Sequence, residues 1–198
     1  MWQDINDKIA QHIMLLLETE RLGDELTAAK VQYALQVILD EVEKFIFLSL
    51  LFGIFYDVGK FYLAFLALGS LRIFMGGSHR STKLGCLLSS LVNFGMILYL
   101  SALLHIPFPA AGGVVILLAL EIVLWVPLTS PQQLRYNTQQ KRKLKKKALI
   151  ALAAWGCVVP FLPVEAGSIV FWSLAFQAME VLVVVLYRSG KMTVKYRS

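Results

Sequence analysis

The chain has 198 residues, of which 58% are hydrophobic and only 16% are charged, and its mean hydropathy is +0.66. Soluble domains are about one half apolar and about one quarter charged, so this excess cannot be enclosed in a single core of this size. The composition excludes a soluble globular enzyme and a disordered chain, and two distant cysteines exclude a disulfide scaffold. It predicts an all-α, polytopic membrane protein.

Charge is distributed unevenly along the chain. The first 44 residues carry four Lys/Arg against nine Asp/Glu, whereas the remaining residues carry fifteen against four. The basic residues cluster between apolar runs, which is typical of membrane topology signals rather than of a nucleic-acid interface. We therefore expect a lipid bilayer, and no nucleic acid, among the partners. The acidic first residues do not predict a cleavable signal peptide.

Two amphipathic helices are predicted near the N-terminus, over residues 3–22 and 25–43. In both segments apolar residues recur at helical spacing among polar ones, and neither segment is apolar enough to cross a bilayer. We expect them to form an interfacial or cytosolic helical hairpin. This interpretation divides the chain into an N-terminal unit, 1–43, and a transmembrane domain, 44–198.

The rest of the chain predicts about six transmembrane helices. Their expected ranges are 42–57, 59–74, 84–104, 110–126, 148–164 and 168–187. The first two are short, because a hydrocarbon core of about 30 Å takes about 20 helical residues. We interpret them as a tight hairpin with its tip at residues 57–60, and one long bent helix is the alternative.

The basic residues also orient these spans. The segments 75–84, 128–147 and 188–198 together carry thirteen Lys/Arg. The opposite loops carry Asp57, Lys60, His105 and Glu165. The positive-inside rule then places the three basic segments and both termini in the cytosol. The six basic residues within 141–147 either anchor this topology near anionic lipids or hold an acidic partner peptide.

His79 and Cys86 are the candidate catalytic residues. On a continuous helix they would be about 10 Å apart along the axis, which is too far for a hydrogen bond. The Gly76-Gly77 pair instead suggests a loop that folds His79 back over the start of the third span. Ser81 or Thr82 could cap that helix and place Cys86 in its first turn, where the helix dipole favours a thiolate. A thiolate within reach of an imidazole is the minimum for nucleophilic catalysis.

The other histidines and the second cysteine, His12, His105 and Cys157, are expected to be incidental. Buried cysteines outside such a setting usually behave as small hydrophobic residues. The three histidines fall in separate regions and no four-ligand set forms, so no metal and no other cofactor is predicted.

The run Arg72, Gly76-Gly77, His79 and Cys86 resembles the motif of the accessory gene regulator B (AgrB) family. The acidic amphipathic N-terminus, the polytopic core and the later Lys/Arg-rich loop fit the same family, so the resemblance covers nearly the whole chain. It implies a cysteine endopeptidase in the plasma membrane of a Gram-positive bacterium. It also implies that Cys86 is the nucleophile, that His79 is its base, and that both face the cytosol.

The resemblance further implies the substrate and the partners. The enzyme would cleave off the C-terminal part of a small AgrD-like precursor through a thioester on its cysteine. A side chain of the retained peptide would then close a thiolactone or lactone ring, giving a quorum-sensing signal. The helices over 3–22 and 25–43 could dock the precursor's amphipathic helix, and the 132–147 loop could attract its acidic part. A homodimer is expected.

The group that orients His79 stays open. Ser78, Thr82 or a backbone carbonyl could serve, and so could a polar residue of another span. Those polar candidates are Asn93, Glu121 and Glu180.

Arg72 has two interpretations. It could pair with Glu121 or Glu180 and hold the bundle together, or it could contact substrate or the developing oxyanion, with Gly77 and Ser78 as further candidates for that contact.

Three other functions compete with the peptidase. A small peptide transporter or exporter would use the polar residues of the spans as a path and would not need Cys86. Those residues are Asn93, Glu121, Gln177 and Glu180. A non-catalytic membrane subunit and a membrane acyltransferase are the remaining alternatives. We find neither the repeat that many transporters carry nor a motif for an acyl donor.

Overall fold

A computed structural model describes residues 25–76, 82–106, 108–128 and 137–195. These residues are helical, with no strand among them. The helices are α1 (Glu25–Phe55), α2 (Val58–Met75), α3 (Lys83–Leu103), α4 (Phe108–Trp125), α5 (Thr138–Val158) and α6 (Val164–Lys195), with a 3₁₀ turn at Val159–Phe161. The predicted all-α class is confirmed. The amphipathic helix predicted over 3–22 lies outside the described residues.

Three segments are long and apolar enough to cross a membrane: Val58–Met75, Lys83–Leu103 and Val164–Tyr187. A shorter apolar helix covers Gly112–Trp125. The chain is therefore a membrane protein, as its composition predicts. The number of six spans stays a prediction.

The chain divides into two units, residues 1–56 and 57–198. In the first unit α1 runs without interruption through residue 43, where the sequence predicts one helix ending and another starting. That prediction is wrong, because the sequence changes there from amphipathic to apolar without any glycine or proline to end a helix. The break predicted near residue 57 is confirmed, because α1 ends at Phe55 and α2 begins at Val58.

Helix α2 begins at a side-chain cap. The Asp57 carboxylate accepts hydrogen bonds from the backbone N–H groups of Gly59, at 2.8 Å, and Lys60, at 3.3 Å. These two N–H groups have no acceptor within the helix, and an aspartate at this position satisfies them. The cap therefore fixes the start of α2 at the position where the apolar run begins.

The second unit is a bundle in which α6 packs against α2, α3 and α4, and α5 packs against α2 and α4. Its core holds aliphatic residues of four helices and of the segment after α4. The fully or almost fully buried members are Ala67, Leu71, Met75, Leu118, Ile122, Val126, Leu128, Ala148, Leu152, Val170, Leu174, Ala178 and Val181. A hydrogen bond of 2.9 Å from the Trp155 indole to the Ser70 hydroxyl also joins α5 to α2.

Specific contacts mark the two ends of this bundle. At one end Lys60 pairs with Glu165 at 3.3 Å, and the backbone N–H of Ile106 donates to the Ser168 hydroxyl. At the other end the backbone N–H of Leu128 donates to the Met75 carbonyl at 2.9 Å. We call this second end, where α2 and α4 finish and α3 and α5 begin, the basic end.

The predicted loop over 128–147 is partly wrong. Helix α5 already begins at Thr138, so the lysine- and arginine-rich run lies on its first turns. Lys, Arg and Gln are good helix formers, and the Gln140 side chain accepts a hydrogen bond from the backbone N–H of Asn137 at 3.0 Å. Hydrophilicity alone is no signal for a loop.

The fifth and sixth spans have different bounds from those predicted. Helix α5 ends at Val158, short of the predicted 164, because Pro160 cannot continue it and forms part of the 3₁₀ turn. Helix α6 begins directly after Pro163, at Val164, and continues to Lys195, beyond the apolar run. The third and fourth spans agree with the structure to within about two residues, which is the usual uncertainty of helix ends.

Candidate active site

Cys86 lies in the first turn of α3, at the basic end. Thr82 caps this helix, since its hydroxyl oxygen accepts a hydrogen bond from the backbone N–H of Gly85 at 3.2 Å. The backbone N–H of Cys86 in turn donates to the Thr82 carbonyl at 3.0 Å. Thr82, one of the two predicted caps, is therefore the residue that sets Cys86 at a helix N-terminus, where the helix dipole stabilises negative charge.

Cys86 also belongs to the face of α3 that points into the bundle. It is half-buried, and residues 7, 8, 11 and 15 positions further on repeat the same face at helical spacing. Those residues are Asn93, Phe94, Ile97 and Ser101, of which the last three are buried. The thiol therefore belongs to the protein-facing side of the helix and not to its outer side.

Arg72 lies at nearly the same depth as Cys86. The ring of Phe94 on α3 packs against those of Phe61 and Phe65 on α2, with centroids 5.2 Å and 6.0 Å apart. Arg72 follows Phe65 by seven residues and Cys86 precedes Phe94 by eight. Because the two helices are antiparallel, these steps of about 10 and about 12 Å lead toward the same end.

Arg72 pairs with Glu180 of α6. Its Nη2 atom is 3.0 Å from Oε1 of the carboxylate, and both side chains are partly buried. Of the two partners considered from sequence, the structure has Glu180. The ion pair joins α2 to α6 at the level of Cys86, so it holds the guanidinium near the basic end of the bundle.

His79, Gly77 and Ser78 lie outside the described residues, as does Ser81, the other predicted cap. The described part contains the two ends of the segment that carries them, Gly76 and Thr82. The Cys86–His79 dyad and the contacts of Gly77 and Ser78 therefore stay predictions.

Gly76 ends α2 in a conformation reserved for glycine. Its φ is 80° and its ψ is 178°, and its N–H donates to the Arg72 carbonyl. A Cβ at this position would lie 2.6 Å from the Leu128 carbonyl oxygen. The segment after α4 thus passes directly over the residue from which the His79 segment departs. Sequence reasoning missed Leu128, because an ordinary leucine after a proline gives no signal of such a contact.

The polar candidates of the spans differ in their surroundings. Glu121 and Gln177 are fully buried, and none of their side-chain oxygen and nitrogen atoms has a hydrogen-bond partner within the described parts of the chain. Within the same parts, the Asn93 side-chain oxygen is buried without a partner. One carboxylate oxygen of Glu180, Oε1, pairs with Arg72, and the other, Oε2, is buried. Buried polar groups are normally hydrogen-bonded, so these three residues stand out.

A basic cleft of about 350 Å³ lies between the end of α4 and the start of α5. Its lining combines the aromatic Trp125 with three cations, Lys141, Arg142 and Lys145. The Lys145 ammonium also donates to the Val123 carbonyl at 2.6 Å, which satisfies one of the last carbonyls of α4. The cleft can therefore receive an anionic group next to an aromatic ring.

The second cysteine is remote from this site. Cys157 is the penultimate residue of α5 and is exposed, close to the end of the bundle opposite to Cys86. Neither cysteine forms a disulfide within the described residues. Cys157 therefore offers a matched control for any experiment on Cys86, and His105, in the connection between α3 and α4, also lies at the opposite end.

The family model described as "Accessory gene regulator B" matches residues 5–182. An AgrB-like protein of Clostridium beijerinckii is 30% identical over 159 residues, which cover 78% of this chain and 77% of the relative. No solved structure matches the chain significantly. This family takes part in the processing of the agr quorum-sensing autoinducer, which implies an AgrD-like precursor as partner. The chain belongs to the accessory gene regulator B family.

Proposed function

We propose that the protein is a membrane-embedded cysteine endopeptidase. It cleaves off the C-terminal part of an AgrD-like precursor through a thioester on Cys86 and so prepares the peptide for cyclisation. The observation that carries this proposal is the position of Cys86, half-buried in the first turn of a helix that Thr82 caps. A nucleophile needs a site of this kind, close to the surface and beside positive potential.

The acyl group of the precursor is transferred twice, first to Cys86 and then to a side chain of the retained peptide. His79 takes the thiol proton of Cys86, and the thiolate attacks a precursor carbonyl. The C–N bond then breaks, His79 gives its proton to the departing amine, and the retained peptide remains as a thioester on Cys86. His79 then takes the proton of a thiol or hydroxyl of that peptide as this group attacks the thioester, the C–S bond to Cys86 breaks as the ring closes, and His79 returns the proton to the Cys86 thiolate.

One feature of the site favours ring closure over hydrolysis, and a second stabilises the tetrahedral intermediate. The half-burial of Cys86 limits the access of water to its thioester. The N-terminus of α3 and the Arg72 guanidinium, at similar depth, both provide positive potential for the oxyanion, with Gly77 and Ser78 as further donors. Arg72 is the described member of this set, and Glu180 holds it in place.

Three side chains are proposed as candidates for the orienting partner of His79. The Thr82 hydroxyl oxygen accepts the Gly85 N–H and has a second lone pair that can accept the imidazole N–H, and Ser78 is next to His79 in sequence. Asn93, two turns deeper on the face of Cys86, has a buried oxygen with no partner in the described parts. We propose that one of these side chains receives the imidazole N–H.

The charge distribution supports an orientation across the membrane, and the family resemblance implies the plasma membrane of a Gram-positive bacterium. The basic end carries the lysine-rich turns of α5, whereas the described residues of the opposite end include Asp57 and the pair of Lys60 and Glu165. The positive-inside rule then puts the basic end, Cys86 and both termini in the cytosol of a six-span, multi-pass protein. We also propose that the protein forms a homodimer in the bilayer.

The basic cleft fits the acidic part of the precursor. The double variant Lys141→Gln with Arg142→Gln is expected to raise the KM for precursor cleavage about tenfold at low ionic strength, because charge complementarity speeds encounter. Lys145 is left intact, since it bonds the Val123 carbonyl. The effect should shrink with added salt, because the screening length falls to about 3 Å at 1 M. Steady-state cleavage assays at several salt concentrations measure it.

Lys60→Gln is the control for this prediction, because Lys60 lies at the opposite end in an exposed ion pair. Exposed pairs contribute little to stability, so this variant should keep the wild-type KM. An unchanged KM in the double variant at low salt, or an equal rise in the control, would show that the cleft does not bind the precursor.

Co-expression with a candidate AgrD-like precursor tests whether the protein acts as a peptidase or as a transporter. Mass spectrometry of the products is expected to show the precursor without its C-terminal part only in cells that make this protein. Intact precursor that is moved out of the cell without any cut would instead support a transporter.

A further inference from the structure

Glu121 of α4 is held in the core without a partner. Its side chain is fully buried, and neither carboxyl oxygen has a hydrogen-bond partner in the described ranges. Leu118 and Ile122, which flank it on α4, belong to the apolar core. A carboxyl group in such surroundings is costly. A leucine would be favoured here if stability were the one requirement on this position.

Gln177 of α6 is in the same situation. It is fully buried, and both its amide nitrogen and its amide oxygen lack a partner as far as the chain is described. Leu174 and Ala178 flank it and belong to the same core cluster. Because α4 and α6 pack against each other, one apolar core contains two side chains with unused hydrogen-bonding capacity.

Gln177 lies close to the Arg72–Glu180 ion pair along α6. Gln177 precedes Glu180 by three residues on α6, so the two side chains share a face of that helix. Glu180 pairs with Arg72, which is partly exposed and lies at the depth of Cys86. Gln177 therefore lies about one helical turn deeper in the bundle than the Arg72–Glu180 ion pair.

We propose that Glu121 and Gln177 form an internal subsite for the peptide backbone of the precursor, next to the bond that Cys86 cuts. This rests on the proposed function. A peptide group offers one N–H and one C=O, and the Gln177 amide offers the matching acceptor and donor. Glu121 accepts a further N–H. The flanking leucines and isoleucine provide no polar group. We therefore expect the subsite to bind the precursor's backbone and to favour apolar side chains of the precursor.

The test uses apolar replacements of similar size, Glu121→Leu and Gln177→Leu, each made in the Cys86→Ala protein so that precursor binds without being cut. The Tm of these variants in detergent is expected to rise, because each removes a buried polar group that the resting fold does not satisfy. Their affinity for labelled precursor is expected to fall about tenfold, since the bound backbone is left without its partner.

Two variants are matched to these. Glu121→Gln keeps a hydrogen-bond acceptor at this position and should therefore lose less precursor affinity than Glu121→Leu. Ser173→Ala removes another buried polar side chain of α6, but one whose hydroxyl bonds its own helix at the Ile169 carbonyl. It should leave precursor binding unchanged.

A lower Tm in both leucine variants would mean that these groups are already hydrogen-bonded in the resting fold, and would overturn the subsite. A higher Tm with unchanged precursor affinity would overturn it equally. Because binding is read without any cleavage, failure of the subsite is distinguishable from failure of the proposed function, which would appear as cleavage that persists in the Cys86→Ala protein.

Discussion

Replacement of Cys86 by alanine is expected to lower the rate of precursor cleavage by about three orders of magnitude or more. Loss of the nucleophile removes the covalent step, and the helix N-terminus that remains cannot replace it. His79→Ala is expected to have a similar effect, because the thiol proton and the leaving amine then have no shared base and acid. Mass spectrometry of the precursor after incubation with each purified variant measures both rates.

Cys157→Ala is the matched control, since this second cysteine is exposed and lies near the opposite end of the bundle. It should cleave at the wild-type rate. Cleavage that survives in Cys86→Ala, or that is lost in Cys157→Ala, would remove Cys86 from its proposed role.

Gly76→Ala is expected to destabilise the protein and to reduce cleavage at least about tenfold. The φ of 80° and ψ of 178° lie in a region that is almost restricted to glycine and costs other residues about 1–3 kcal/mol. The new Cβ would also lie 2.6 Å from the Leu128 carbonyl oxygen. For a chain of this size, about 2–4 °C per kcal/mol gives an expected decrease in Tm of about 2–12 °C. Cleavage falls because Gly76 starts the segment that carries His79.

Gly69→Ala separates this effect from that of any added methyl group. Gly69 is in the same helix, and no described atom lies within 4 Å of the position of its Cβ. Alanine is favoured over glycine inside a helix by about 0.5–1 kcal/mol, so the control should keep or slightly raise the Tm. Equal losses in both variants would show that the contact with Leu128 is not the cause.

The sequence predicts best where apolar runs have sharp limits. The runs that form α3 and α4 are bounded by polar residues and prolines, and their helices agree closely with the predicted spans. It predicts poorly where composition changes but no helix breaker is present. This is why α1 continues through residue 43 and why α5 extends back to Thr138.

In the candidate site, too, local features could be predicted from the sequence and long-range contacts could not. The Thr82 cap is a local feature and is predicted from the residues next to it. The choice of Glu180 over Glu121 as the partner of Arg72 depends on how helices pack, which periodicity does not encode. The contact of Gly76 with Leu128 joins positions 52 residues apart and could not be predicted either.

The most direct test of the central claim is to trap the acyl-enzyme. A precursor whose cyclising side chain is replaced by alanine can still acylate the enzyme but cannot close the ring. Intact-mass spectrometry of the protein after incubation with this precursor is expected to show one adduct, equal to the retained fragment less one water, and to map it to Cys86. Cleaved precursor with no adduct on the protein, or an adduct on Cys157, would contradict the account.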